Sequence, residues 1–190
     1  MEINKVVIIG ALKNKNRNGN TIIKRPVIDI EILQKNSEGG LSFNVVPVIL
    51  TNNAIARSLP GLQYGEIFLI YGRLRIDCKG ELYVEADQLL RYMNVNRTDD
   101  DLENKIELIT IGSNINIAEV SGTVHSIHGK NLEIKASRED SLERGSLTRE
   151  DIFPILLDKE RKLSVGDKVI CLGKLDNNKM HGTCRRIEDE

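Results

Sequence analysis

Apolar and polar positions alternate in short runs along the chain. In the first half, runs rich in β-branched residues fall at Lys5 to Ile9, Pro26 to Leu33, Ser42 to Leu50, Glu66 to Leu74 and Glu81 to Ala86. Alternation with period two predicts strands that bury one face. Turn signals separate the runs, among them Asn18-Gly19, Glu38-Gly39-Gly40 and Lys79-Gly80. One helix-like piece stands between the third and fourth runs, Asn52 to Leu59, where Ala54, Ile55 and Leu59 follow asparagines able to cap it. In the fourth run Phe68, Ile70 and Leu74 share one face, and Leu69, Tyr71, Arg73 and Arg75 share the other.

The second half repeats this order. Strands are expected at Ala118 to Ser126, Asn131 to Ala136, Ile152 to Leu157, Lys168 to Leu175 and Gly182 to Ile187. Gly65-Glu-Ile-Phe-Leu-Ile-Tyr-Gly-Arg-Leu74 lies without a gap over Gly166-Asp-Lys-Val-Ile-Cys-Leu-Gly-Lys-Leu175, an offset of 101 that also sets Leu62 over Leu163 and Tyr83 over Cys184. Gly10 matches Gly122 and Pro47 matches Pro154 at larger offsets. An internal repeat explains these matches most economically. Five strands with a short helix between the third and fourth is the order of an OB fold. The expected class is therefore all-β, two tandem OB-fold (five-stranded Greek-key) barrels, with at most a short helix between strands three and four. Domain 1-93 is followed by a linker, 94-111, and a second OB-like domain, 112-190. A small barrel bends its strands sharply, so Gly10, Gly72, Gly122 and Gly173 are expected where a side chain would collide.

Charge separates the two halves, although the net charge is only −1. Residues 1 to 97 hold 13 Lys/Arg and 9 Asp/Glu, and residues 98 to 190 hold 14 and 19, so a polyanion would prefer the first half. No stretch approaches the roughly 20 apolar residues of a membrane helix, and the start MEINKVVIIG lacks a signal peptide's regions. A cytoplasmic protein away from membranes is expected. Cys78, Cys171 and Cys184 are odd in number and widely spaced, which argues against a disulfide framework and for a reducing compartment.

Asn4-Lys-Val-Val-Ile-Ile-Gly-Ala-Leu12, Phe43-Asn-Val-Val-Pro-Val-Ile49, Gly65 to Arg75 with its Gly-Arg-Leu-Arg ending, and Gly80-Glu-Leu-Tyr-Val-Glu-Ala86 together resemble the bacterial single-stranded DNA-binding (SSB) family, over about residues 3 to 92. The primosomal protein PriB shares that fold and lineage. The resemblance implies sequence-independent binding of single-stranded DNA, with RNA left open, through bases stacked on aromatic rings and phosphates held by basic side chains. The residues it points to are Phe43 and Tyr83 as rings, and Lys13, Lys15, Arg17, Lys24, Arg25, Arg73 and Arg75 as the basic track around the first loop and its extension. The chain departs from the family in having no Trp and only 4% aromatics, and Ile49 stands where another ring is usual. It ends at Ile187-Glu-Asp-Glu190 without an acidic tail tipped by Pro-Phe, so contacts with replication or repair proteins fall to the acidic second domain. The family's four barrels per functional unit imply a homodimer of this chain, with Leu69 and Tyr71 as interface candidates.

No nucleophile-base set, phosphate-binding glycine loop or paired-carboxylate motif is present, so no enzyme, cofactor or metal is expected. One set has residue types that suit zinc: His125 and His128 at the end of one strand, and His181 and Cys184 before another. The rival to nucleic-acid binding is an OB-fold module for protein-protein interaction or assembly.

Overall fold

The computed structural model describes residues 3–15, 26–35, 40–51, 61–93, 115–142, 145–176 and 178–187. Ten strands form two groups of five. β1(Asn4–Asn14), β2(Val27–Lys35), β3(Leu41–Leu50), β4(Ile67–Ile76) and β5(Leu82–Met93) lie in the order β2-β3-β5-β4-β1, closed by β1 pairing with β2. β6(Asn116–His128), β7(Asn131–Leu142), β8(Gly145–Leu157), β9(Lys168–Asp176) and β10(Lys179–Arg186) lie in the order β6-β7-β8-β10-β9, closed by β6 pairing with β9. Each group is an OB barrel. β3 meets β5 in parallel, as β8 meets β10, while the pairs β1–β2, β1–β4, β2–β3, β6–β7, β6–β9, β7–β8 and β9–β10 are antiparallel. All ten expected strands are present, most longer than their apolar runs. The expected helix at Asn52 to Leu59 and the linker lie outside the described residues.

The chain divides into two compact units that are not simple segments. One holds Val6–Arg73 and Tyr83–Ile117 and contains most of the first barrel. The other holds Met1–Lys5, Leu74–Leu82 and Ala118–Glu190, so the β4–β5 turn packs in the unit of the second barrel.

Period-two patterning fills both cores. Val6, Ile8 and Leu12 of β1, Ile28, Ile30 and Ile32 of β2, and Phe68, Ile70 and Leu74 of β4 are buried. In the second barrel Val120 and Val124, Leu132 and Ile134, and Phe153, Ile155 and Leu157 do the same. Each fully buried side chain of this size contributes roughly 1.5–3 kcal/mol by leaving water. The glycines expected at bends stand where no Cβ fits: one on Gly10 would lie 2.7 Å from the Glu31 carbonyl oxygen, and one on Gly122 2.4 Å from that of Lys135.

The cysteine expectation is corrected. Cys171 of β9 and Cys184 of β10 are joined by a disulfide, 13 residues apart in sequence, and Cys78 is free and exposed. The two stand directly opposite each other in the β9–β10 ladder, inside the barrel. Counting and spacing cysteines along the chain could not show this, because strand register decides which residues face each other.

Candidate nucleic-acid interface

The outer face of β1, β2 and β3 is built by the same alternation that fills the first barrel. Ala11 of β1 pairs with Glu31 of β2, and Glu31 with Val45 of β3, which makes one row of outward residues. The next outward pair is Leu33 with Phe43. Leu33 is buried, whereas Phe43 is 63% exposed. The expected stacking position is thus open to solvent. Val45 beside it is partly exposed.

A bulge sits at the edge of this row. The β1–β2 register slips between Leu12 and Asn14, so Lys13 is the extra residue and its side chain is re-aimed. Its ammonium lies 2.7 Å from Glu31 Oε1, with both side chains partly in water. Such a pair contributes ~0–1 kcal/mol, so Lys13 can exchange Glu31 for a phosphate at little cost. Arg73 is likewise exposed and paired, its Nε 3.3 Å from Asp87 Oδ2. Arg17, Lys24 and Arg25 lie outside the described residues.

Two expected contact residues are buried instead. Arg75 is only 6% exposed. Its Nη1 lies 4.0 Å from Asp151 Oδ2, and Arg138 Nη1 lies 3.6 Å from the same oxygen, in the unit that carries the second barrel. Alternation correctly put Arg75 on the outer face of β4, but that face is covered at this end. Tyr83 is 7% exposed and packs with Val27 and Ile49. Ile49, standing where an aromatic platform is usual, is thus a buried member of a small cluster. Of the four residues considered for zinc, the only sulfur, Cys184, is held in the disulfide.

One residue escaped the sequence analysis. Tyr64, 53% exposed, sits in the turn before β4, and the Lys15 ammonium lies 5.3 Å from its ring centroid. The turn is firmly held. Gly65, at φ +83°, donates to the Leu12 carbonyl at 2.8 Å, and Leu12 donates to the Glu66 carbonyl at 2.8 Å. The Glu66 carboxylate accepts from the Gln63 amide at 2.8 Å, and Arg91 Nη2 lies 3.3 Å from it. A lone Tyr in a polar turn carries no motif, so only the closeness of the β1 end to the turn makes it a candidate. Phe43, Val45 and Lys13 thus belong to the outer face of β1–β3, and the Lys15–Tyr64 pair stands where the end of β1 meets the turn before β4.

No protein-family model and no curated protein sequence matches the chain. In three dimensions it is similar to the wild-type single-stranded DNA-binding protein of Thermus aquaticus, with a TM-score of 0.64, 15% identity, and coverage of 100% of this chain and 95% of that one. A deletion mutant of that protein matches at 0.61 and 14%, with 100% and 96% covered. The N-terminal domain of PriB from Thermoanaerobacter tencongensis, solved as a dimer, covers 48% of this chain and 98% of its own at 15% identity, with a TM-score of 0.35. The first two likenesses span both barrels. The likeness is one of fold, two OB barrels in a single chain.

Proposed function

We propose that the protein binds single-stranded DNA without regard to sequence, with the β1–β3 outer face of the first barrel as its main surface. The observation that carries this is Phe43, an exposed ring on β3 of an OB barrel's outer face, which also carries the solvent-accessible Lys13 at the β1 bulge. Every base has a π face, so a ring stacks on any of them and contributes ~1–3 kcal/mol per base. Lysines and arginines then hold the backbone, with Arg17, Lys24 and Arg25 of the connecting loop extending the track. Replication, repair or recombination is the setting such an activity serves. Fluorescence anisotropy with a labelled oligo-dT strand, at low and moderate salt, tests the proposal. The expected result is tighter binding to single than to double strands and an affinity that falls with salt. No binding at low salt overturns it, and oligo-U in the same assay decides whether RNA is also a ligand.

A homodimer with four barrels completes this reading. Tyr71 of β4 and Leu172 of β9 are equivalent in the repeat, and both are exposed apolar residues facing outward on the same strand of their barrels. Light scattering near twice the 21.4 kDa chain mass supports the dimer, and Tyr71→Glu is expected to return it to one chain. Should oligo-dT not bind, the same exposed residues favour the rival, an OB-fold protein-interaction module. Among the described residues no helix is long and apolar enough to cross a membrane. A DNA-binding role places the chain in the cytoplasm, whereas the disulfide suits an oxidising environment. Opposed cysteines also pack as small apolar residues when reduced. Mass spectrometry of the alkylated native protein determines which form exists.

A further inference from the structure

The turn that carries Tyr64 occurs twice. Around Gly166, at φ +93°, the Gly166 amide donates to the Val124 carbonyl at 2.9 Å, and Val124 donates to the Asp167 carbonyl at 2.8 Å. Asp167 Oδ2 accepts from the Ser164 amide at 2.9 Å, and Arg186 Nη2 lies 3.2 Å from Asp167 Oδ1. Val124, Ser164 and Asp167 are the counterparts of Leu12, Gln63 and Glu66 in the first barrel, and in each barrel an arginine of the last strand pairs with the carboxylate. The turn is therefore a device for closing the barrel, and its second residue is free to vary. That residue is Tyr64 in the first barrel and Val165 in the second, both in water.

We propose that Tyr64, with Lys15, is a second base-stacking position of the first barrel, taking over the stacking that Ile49 cannot provide. The proposal rests on the nucleic-acid function above. A rigid turn presents the ring, which removes most of the ordering cost of stacking. Lys15 covers one face, leaving the other for a base, and its ammonium is at hand for the phosphate of the stacked nucleotide. A cation against the ring also helps hold it in place, at ~0.5–1 kcal/mol for an exposed pair.

The test replaces Tyr64 by the residue the second barrel already carries on the same turn. Tyr64→Val is expected to weaken binding of labelled oligo-dT about tenfold, in line with loss of one stacked base. It should leave unchanged the weaker binding of an abasic oligomer of equal length, which offers phosphates without bases. Tyr64→Phe should bind as the parent does, and Lys15→Gln should lower the log-log salt slope by ~0.7. Val165→Ala is the control for the shared turn and should alter neither titration. Equal affinity of Tyr64→Val and parent for oligo-dT overturns the proposal, as does an equal loss on the abasic strand or an equal loss in Val165→Ala. In each of those cases the parent still binds, so the function stands while the second platform falls. A parent protein that fails to bind oligo-dT rejects both together, and a melting temperature matching the parent's confirms that Tyr64→Val folds.

Discussion

The two barrels are one framework carrying two different faces. The register slip between Leu12 and Asn14 recurs between Val124 and Ser126, so His125 stands where Lys13 does. Gly10 and Gly122 press on the carbonyls of Glu31 and Lys135. Asp29 faces Pro47 in the first barrel, and Glu133 faces Pro154 in the second. Counting outward from those prolines by twos, Val45 corresponds to Ile152, and both are partly exposed. One step further, the exposed ring of Phe43 corresponds to Glu150, whose carboxylate lies 3.0 Å from Lys135 Nζ. What closes a barrel has been kept, and what a barrel offers to a ligand has changed. A carboxylate in the platform position repels phosphate and presents no π face, so the second barrel is the weaker candidate for DNA and the better one for a protein partner.

Deleting core rings should break the shared framework in both halves. Phe68→Ala and Phe153→Ala each empty a position that is fully buried, and each is expected to cost ~3–5 kcal/mol in urea denaturation. A loss below ~1 kcal/mol in either would show that barrel to be loosely packed. The disulfide distinguishes the halves more sharply. Closing so short a loop stabilises a protein by ~2–4 kcal/mol, so reductant, or Cys171→Ala with Cys184→Ala, should lower the melting temperature. Oligo-dT affinity below the melting range should be unaffected. A fall in affinity on mild reduction would mean that the second barrel shares the binding.

Exchanging the two faces has a smaller expected effect on stability and a specific one on binding. Phe43→Ala should lose ~1–3 kcal/mol of affinity with little change in melting temperature, and Phe43→Glu, which gives the first barrel the second's residue, should lose more. A large loss of stability with unchanged binding per folded molecule would place Phe43 in the packing instead. The least effect is expected at Lys13. Lys13→Gln should lower the log-log salt slope by ~0.7 and leave the melting temperature almost unchanged, because the pair with Glu31 is partly solvated.

The architecture was legible in the chain because barrel strands obey a local rule. Alternation fixes which side chains point inward, and glycine at a bend has a physical cause that does not depend on distant residues. The strands and their inward faces follow from period two, the two barrels from the internal repeat, and Phe43 was pointed to by the resemblance to the SSB family. The errors arose where a local rule met a distant neighbour. Arg75 and Tyr83 alternate with the inward residues of their strands, yet both are buried, Arg75 near Asp151 and Tyr83 with Val27 and Ile49. Cys171 and Cys184 were separated by 13 residues in the count and brought together by the register of two strands. Tyr64 had no pattern at all until the end of β1 carried Lys15 to its ring. The sequence by itself determined what faces the core and what faces away from it. Only the tertiary structure decided which outward residues meet water, because solvent exposure depends on every segment packed nearby.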